Sequence, residues 1–228
     1  MQYFGGKFRL ADEIVSVLNK YRKEGQIFLE PFVGGANIVS KMTGKRTAYD
    51  IHYELIEMYK AIQNGWFPPD LISKEYYEEI RDSKNIRPCL KGFVGFGCSF
   101  AGKYFGGYAN SGDRNYCVNA RNSVLKKMET CKDVVFECKD YRKITPKDCL
   151  IYCDPPFLNT IQYSNGKFDS VEFWGIMREW SKNNIVIVSE YQAPDDFECI
   201  WKRETKLDIR NRFNQREKRI EKLFKFKQ

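Results

Sequence analysis

A run of four apolar residues, Leu150-Ile151-Tyr152-Cys153, ends without transition at Asp154-Pro155-Pro156-Phe157. The run does not alternate in polarity, so it reads as a strand buried on both faces. Val134-Val135-Phe136-Glu137-Cys138 and Ile185-Val186-Ile187-Val188 read the same way. Central strands of this kind belong to a mostly parallel sheet, and parallel strands need crossover helices to cover the two faces. The chain supplies them. Ile14, Val17, Leu18 and Tyr21 recur at helical spacing over residues 10–21. Between the last two apolar runs, Asp169 stands as an N-cap with Glu172 three residues on, ahead of Phe173, Met177 and Trp180 on one helix face.

The first part of the chain repeats the pattern. Ile27-Phe28-Leu29 runs into Glu30-Pro31-Phe32-Val33-Gly34-Gly35, which predicts a strand stopping at a glycine turn and a helix from about Ala36. Thr47-Ala48-Tyr49 predicts a second strand ending at Asp50. A helix follows through Glu54, Ile56 and Tyr59, closed by Gly65, and another covers about 73–83.

Between residues 88 and 122 the alternation dissolves. Seven of the 16 glycines fall here, interleaved with Phe93, Phe96, Phe100, Tyr104, Phe105, Tyr108 and Tyr116, so a long regular element is not expected. Two readings stay open: a surface where backbone and rings approach a ligand, or a loop-rich unit packed on itself. A helix near 120–130 follows. At the far end, alternation around Ile200–Leu207 and Leu223–Phe226 predicts two strands forming a hairpin, with 209–219 as its loop.

The 228 residues are 43% hydrophobic and 30% charged, enough for one ordinary globular domain with a subdomain inserted in it. The apolar runs fall far short of the roughly 18 residues a membrane span requires, so no membrane is expected as a partner. Met1 to Lys7 lacks an apolar stretch of the secretory kind, which predicts a cytoplasmic protein. The eight cysteines never form C-x-x-C, so neither a zinc ribbon nor a disulfide scaffold is expected and no metal site is predicted. Residues 202–228 hold 11 Lys and Arg against 4 acids, +7 of the chain's +8. Such a concentration favours a polyanion, with a solvated surface element as the alternative.

The Asp154-Pro155-Pro156-Phe157 run carries the sharpest chemistry. Two consecutive prolines fix φ and remove both backbone donors, leaving carbonyl acceptors, one carboxylate and one ring at the C-terminal edge of the sheet. That set accepts from an exocyclic NH2 and stacks on a planar base. His52, which has no partner of metal-ligand spacing, reads as an exposed helix-start residue and not as a base.

With these residues in view, the chain resembles the Dam-type DNA adenine-N6 methyltransferases, which depend on S-adenosyl-L-methionine. The family's D-P-P-Y motif is matched by Asp154, Pro155 and Pro156, with Phe157 keeping the ring and losing the hydroxyl. Its K-W-x-G-G-K block is matched by Tyr3, Gly5, Gly6 and Lys7, and its E-P-F-x-G-x-G block by Glu30, Pro31, Phe32 and Gly34, with the next glycine one residue early at Gly35. Glu221-Lys222-Leu223-Phe224 resembles the Glu-x-Leu-Phe sequence that closes the family's sheet. Asp50, 16 residues past Gly34, sits where an acid can accept from both ribose hydroxyls. Asp140-Tyr141 matches the acidic-aromatic pair near the cofactor adenine.

The resemblance implies an α/β, Rossmann-like methyltransferase fold with a seven-stranded mixed sheet. Residues 1–56 and 131–228 form the catalytic core, and 57–130 an inserted target-recognition subdomain. It implies that Asp154 to Phe157 hold a flipped adenine of double-stranded DNA, and that Tyr3, Gly6, Lys7, Glu30, Phe32, Gly34, Gly35, Asp50, Asp140, Tyr141 and Asp154 line the cofactor pocket. DNA contacts are expected from Lys103, Tyr104, Arg114 and Asn115 in the insertion and from Arg210, Arg212 and Arg216 near the C-terminus. The expected enzyme is a monomer associated with DNA, with a cognate restriction endonuclease as a further partner to look for. Cytosine N4, RNA bases or an amide nitrogen as acceptor, and a catalytically silent DNA-binding relative, are the alternatives.

Overall fold

The computed structural model describes residues 1–156, 168–210 and 216–227, with 206–210 and 216–218 described by backbone alone. Phe157 and Arg212 therefore lie outside the described residues, and of Arg210 and Arg216 only the backbone is placed. Seven strands form one mixed sheet in the order β3-β2-β1-β4-β5-β7-β6. They are β1 Ile27–Glu30, β2 Arg46–Asp50, β3 Val135–Cys138, β4 Cys149–Cys153, β5 Ile185–Glu190, β6 Phe197–Arg210 and β7 Arg216–Phe226. β1 to β5 pair in parallel, while β7 lies antiparallel between β5 and β6.

Helices cover both faces. α1 (Ala11–Tyr21), α2 (Tyr53–Gln63), α4 (Pro88–Gly97) and α5 (Tyr116–Glu129) share one apolar core with Phe28, Leu150, Tyr152 and Ile187, which point to one side of the sheet. Leu29, Ile151, Cys153 and Val188 point to the other side and pack on α6 (Ser170–Ser181) through Phe173, Met177 and Trp180. Asp169 caps α6 as expected, accepting from the Val171 and Glu172 N–H groups. α3 (Lys74–Asp82) is the helix foreseen over 73–83.

Four expectations are corrected. First, residues 34–42 form consecutive turns and no helix. Gly34 and Ala36 both have positive φ, and side chains satisfy the backbone instead. Glu30 accepts the Val39 N–H at 2.8 Å, and Arg46 Nη1 donates to the Val39 and Met42 carbonyls at 3.0 and 2.8 Å. Second, β3 is an edge strand on which only Phe136 is buried. Val135 is 51% exposed, because only β2 pairs with this strand. Third, β6 and β7 run as far as Arg210 and from Arg216, which pair, so 209–210 and 216–219 are strand and not loop. Fourth, residues 88–97 are helical: Pro88 starts α4 at its first turn, and the glycines are there for packing.

Gly92 shows why. A Cβ at this position would lie 2.1 Å from the Glu54 carbonyl oxygen, so α4 and α2 touch backbone to backbone. Gly92→Ala is expected to lower the denaturant midpoint by the equivalent of about 1–3 kcal/mol, since the obstacle is backbone and cannot swing away. Gly175 is the control. It lies in α6 with nothing within 4 Å of its would-be Cβ, and Gly175→Ala should raise the midpoint by the equivalent of roughly 0.5–1 kcal/mol.

Candidate active site

In an open α/β sheet, ligands bind beyond the C-terminal ends of the strands where the strand order reverses, here between β1 and β4. The sequence-predicted residues converge on that edge. Glu30 ends β1, Asp50 ends β2 and Asp154 follows β4. Lys7 reaches them from the segment ahead of α1, and Glu221 from β7.

The turn after β1 is tied down from several directions. Asp50 Oδ2 accepts the Gly34 N–H and its Oδ1 accepts the His52 N–H, both at 3.0 Å. Tyr59 Oη donates to the Gly34 carbonyl at 2.6 Å, and Lys127 Nζ donates to the Gly35 carbonyl at 2.6 Å and to Asn37 Oδ1 at 2.5 Å. Tyr3 lies over the glycines: a Cβ on Gly34 or Gly35 would come within 2.8 Å of Tyr3 atoms, and one on Gly6 within 2.8 Å of Asn37 Nδ2. The Tyr3 ring itself stacks on Phe96 of α4 at 5.1 Å.

Electrostatics follow from burial. It lifts Glu30 well above the usual carboxylate range, and lifts Asp50 as well, against the backbone donors that favour the ionised form. Burial brings the Lys127 ammonium down to about 8. It also works against the Lys7 ammonium, but Asp154 and Glu221 outweigh it and hold that group above its ordinary range. Lys7 Nζ is 2.8 Å from Asp154 Oδ1 and 3.8 Å from Glu221 Oε2, with all three side chains at most 17% exposed.

Beyond β1 and β3 the wall is aromatic. Phe32 lies 5.0 Å from Tyr141 and 6.0 Å from Phe173, centroid to centroid, and Phe168 borders Tyr141. Asp140 caps the short 3₁₀ turn Tyr141–Lys143, and its carboxylate is held by the Arg142 guanidinium. The residues fit a nucleoside-bearing sulfonium cofactor. Each Asp50 oxygen accepts a backbone N–H and would keep capacity for a ribose hydroxyl, the rings of Phe32 and Tyr141 would flank a purine, and the carboxylates of Asp154 and Glu221 would suit a cationic end.

The residues expected on DNA are dispersed. Lys103 and Arg114 are exposed. Tyr104 is half-buried, packed against His52 at 4.3 Å, Phe105 at 4.7 Å and Phe96 at 4.9 Å. His52 is accordingly part of an aromatic cluster, with its side chain only 16% exposed. That corrects the exposed position expected for it. Asn115 caps α5, accepting the Val118 N–H and donating to the Asp70 carbonyl. The exposed ring of the segment is Phe100, 70% accessible on a 3₁₀ turn where Ala101 has φ +53°. Glu190 and Tyr191 join the site without having been expected there, though Glu190 ends a buried strand just as Asp50 does.

Topology and site together define a Rossmann-like α/β methyltransferase architecture. Residues 3–91 match the D12 class N6 adenine-specific DNA methyltransferases. Over 197 residues the chain is 26% identical to the DNA adenine methylase of Haemophilus influenzae, a match covering 72% of this chain and 65% of that protein. The chain thus spans just under two thirds of the length of this relative. These two matches bear out the Dam-type resemblance. Among solved structures, a provisionally assigned RNA methyltransferase from Pyrococcus horikoshii aligns with a TM-score of 0.45 at 10% identity, covering 95% of this chain and 81% of that one. A Thermoplasma acidophilum protein aligns at 0.42 and 9% identity, covering 93% and 85%.

Among the described residues no helix is long and apolar enough to cross a membrane, and no group of His, Cys, Asp and Glu could hold a metal ion.

Proposed function

We propose that the chain transfers a methyl group from S-adenosyl-L-methionine to N6 of an adenine flipped out of duplex DNA. One observation carries the reading: Asp154, at the end of the central strand β4, is held by a buried lysine one strand away from the Asp50-braced turn. A carboxylate so fixed accepts from an exocyclic amine without freedom to turn away, and Pro155, which has no N–H, leaves carbonyl acceptors beside it. Adenine N6 is a weak nucleophile, and inside a paired duplex it is out of reach, so catalysis consists of extruding the base and positioning it. When bound, the cofactor supplies an electrophilic methyl on a sulfonium centre.

In this reading 1–56 and 131–228 form the catalytic core and 57–130 chooses the sequence. α2 runs across the first boundary and packs on α4, so the two parts share one apolar core. Lys103, Arg114 and the exposed Phe100 are the side chains best placed for DNA, and Tyr104 and Asn115 act by shaping the surface that presents them. The test is incubation of the purified chain with labelled cofactor and duplex DNA, followed by nucleoside analysis. Label in N6-methyl-2′-deoxyadenosine supports the reading; label in N4-methyl-2′-deoxycytidine, or only with an RNA or peptide acceptor, replaces it.

The paired ends of β6 and β7 carry their own prediction. If they track the DNA backbone, replacing Arg210, Arg212 and Arg216 with Ala should flatten the slope of log affinity against log salt by about 0.9 for each phosphate no longer neutralised, and weaken all sequences alike. An unchanged slope would make this cluster a solvated surface.

A further inference from the structure

Past the ends of β4 and β5, beside the middle of β7, the carboxylates of Asp154, Glu190 and Glu221 lie around Lys7. Asp154 and Glu221 share Lys7. Glu190, the last residue of β5, is 5% exposed and stands in the same electrostatic field, yet among the described residues it makes no ion pair. Its Oε1 accepts the N–H of Tyr191 at 2.8 Å. The charged and titratable groups around it are Lys7 from the segment ahead of α1, Asp154 from the end of β4, Tyr191 from its own turn, and Glu221 from β7. Lys222 is its register partner on β7, with the ammonium 6.0 Å from the Phe224 ring. Arg219 is occupied by Tyr191, with Nη1 3.2 Å from the phenol oxygen.

Methylation of an amine leaves a proton to be placed. The nitrogen forms a bond to the methyl carbon, and the carbon–sulfur bond breaks with its electron pair on sulfur. The nitrogen, now positive, gives up one hydrogen as a proton and keeps the N–H bonding pair. Burial raises the Asp154 carboxyl, but its bond to the Lys7 ammonium opposes protonation there. Of the other buried carboxylates, Glu30 is turned to the Val39 N–H beneath the glycine turn, and Asp50 accepts the Gly34 and His52 N–H groups with one oxygen each. We propose that Glu190 is the carboxylate on which this proton comes to rest, an inference that rests on the methyl-transfer reading above. Burial first, with the negative charge of Asp154 and Glu221, pushes its carboxyl up to about 7 against the Tyr191 N–H and the Lys7 ammonium, which favour the ionised form. A group with that affinity holds a proton long enough to clear the amine and returns it to water near neutral pH.

Two measurements test the assignment. Infrared titration of the cofactor-free protein should show a carboxylic acid band that vanishes on raising the pH through about 7, absent in Glu190→Gln and kept in Glu221→Gln. The single-turnover rate of the wild type should climb close to tenfold per pH unit up to about 7 and then level off. Glu190→Gln should be slower and flat, and Glu190→Asp should restore the slope. A band titrating near 7 that survives in Glu190→Gln, set apart from the bands of the other raised carboxyls, or a Glu190→Gln profile that follows the wild type, overturns this inference while leaving methyl transfer standing. A wild type that transfers no methyl group to any acceptor overturns both.

Discussion

Asp154→Asn is expected to lower the single-turnover rate of methyl transfer by about two to three orders of magnitude, the usual loss when one preorganised group aimed at a reacting centre is removed. Asn keeps the size and one acceptor but loses the charge. Asp154→Ala is a poorer probe than the sequence alone suggests. Lys7 is 5% exposed, and without Asp154 it loses its 2.8 Å partner and keeps Glu221 at 3.8 Å. Removing one member of a buried pair costs about 3–5 kcal/mol when nothing compensates, and Glu221 reduces that. Lys7→Met combined with Asp154→Asn should therefore unfold at a higher denaturant concentration than Asp154→Ala while remaining inactive. If Asp154→Asn retains more than about a tenth of the wild-type rate, a deficit of only ~1.4 kcal/mol, the carboxylate does not serve the amine.

Asp50→Ala should weaken S-adenosyl-L-methionine binding by roughly 1.5–3 kcal/mol, or about 10- to 150-fold, through loss of a charge-assisted acceptor for the ribose. The structure adds a second effect. Both Asp50 oxygens already accept backbone N–H groups, from Gly34 and from His52, so Ala strands two buried donors and loosens the glycine turn. Each such donor costs about 1–3 kcal/mol. Asp50→Asn leaves one acceptor for that work, and should recover much of the stability but little of the cofactor affinity. Calorimetry that finds the affinity of folded Asp50→Asn unchanged would take this residue out of the pocket. DNA affinity without cofactor should be the same in all three proteins.

The strands were legible because burial on two faces leaves an unbroken apolar signature, as in Leu150 to Cys153, and because each run stops at a residue with chemistry. The basic alternation around β6 and β7 predicted a hairpin but drew its loop too long at both ends, since a run of Lys and Arg is as compatible with a strand as with a loop. The glycine-aromatic segment misled for a different reason. Glycine lowers helix propensity, but at Gly92 and Gly95 it is required by a neighbouring backbone and by the Tyr104 ring, and tertiary contact overrides local preference. The turns at 34–42 could not be read because their stability comes from Glu30, Arg46 and Lys127, whose reach is visible only in three dimensions. Glu190 carried a usable signal, an acid closing a buried strand, but no family block drew attention to it.

The Lys7–Asp154–Glu221 contact also sets a timetable for the chain during synthesis. Lys7 and Asp154 are 147 residues apart, and Glu221 comes from the last strand of the sheet to leave the ribosome. Contacts of such separation form late because their loop-closure entropy is met before the contact returns anything. Until β7 inserts between β5 and β6, the far half of the sheet has no continuous ladder, and Lys7 has one fewer anion to hold it. A nascent or truncated chain can thus assemble the Asp50-braced turn, and with it part of the proposed cofactor pocket, well before the carboxylate that would face the base is fixed.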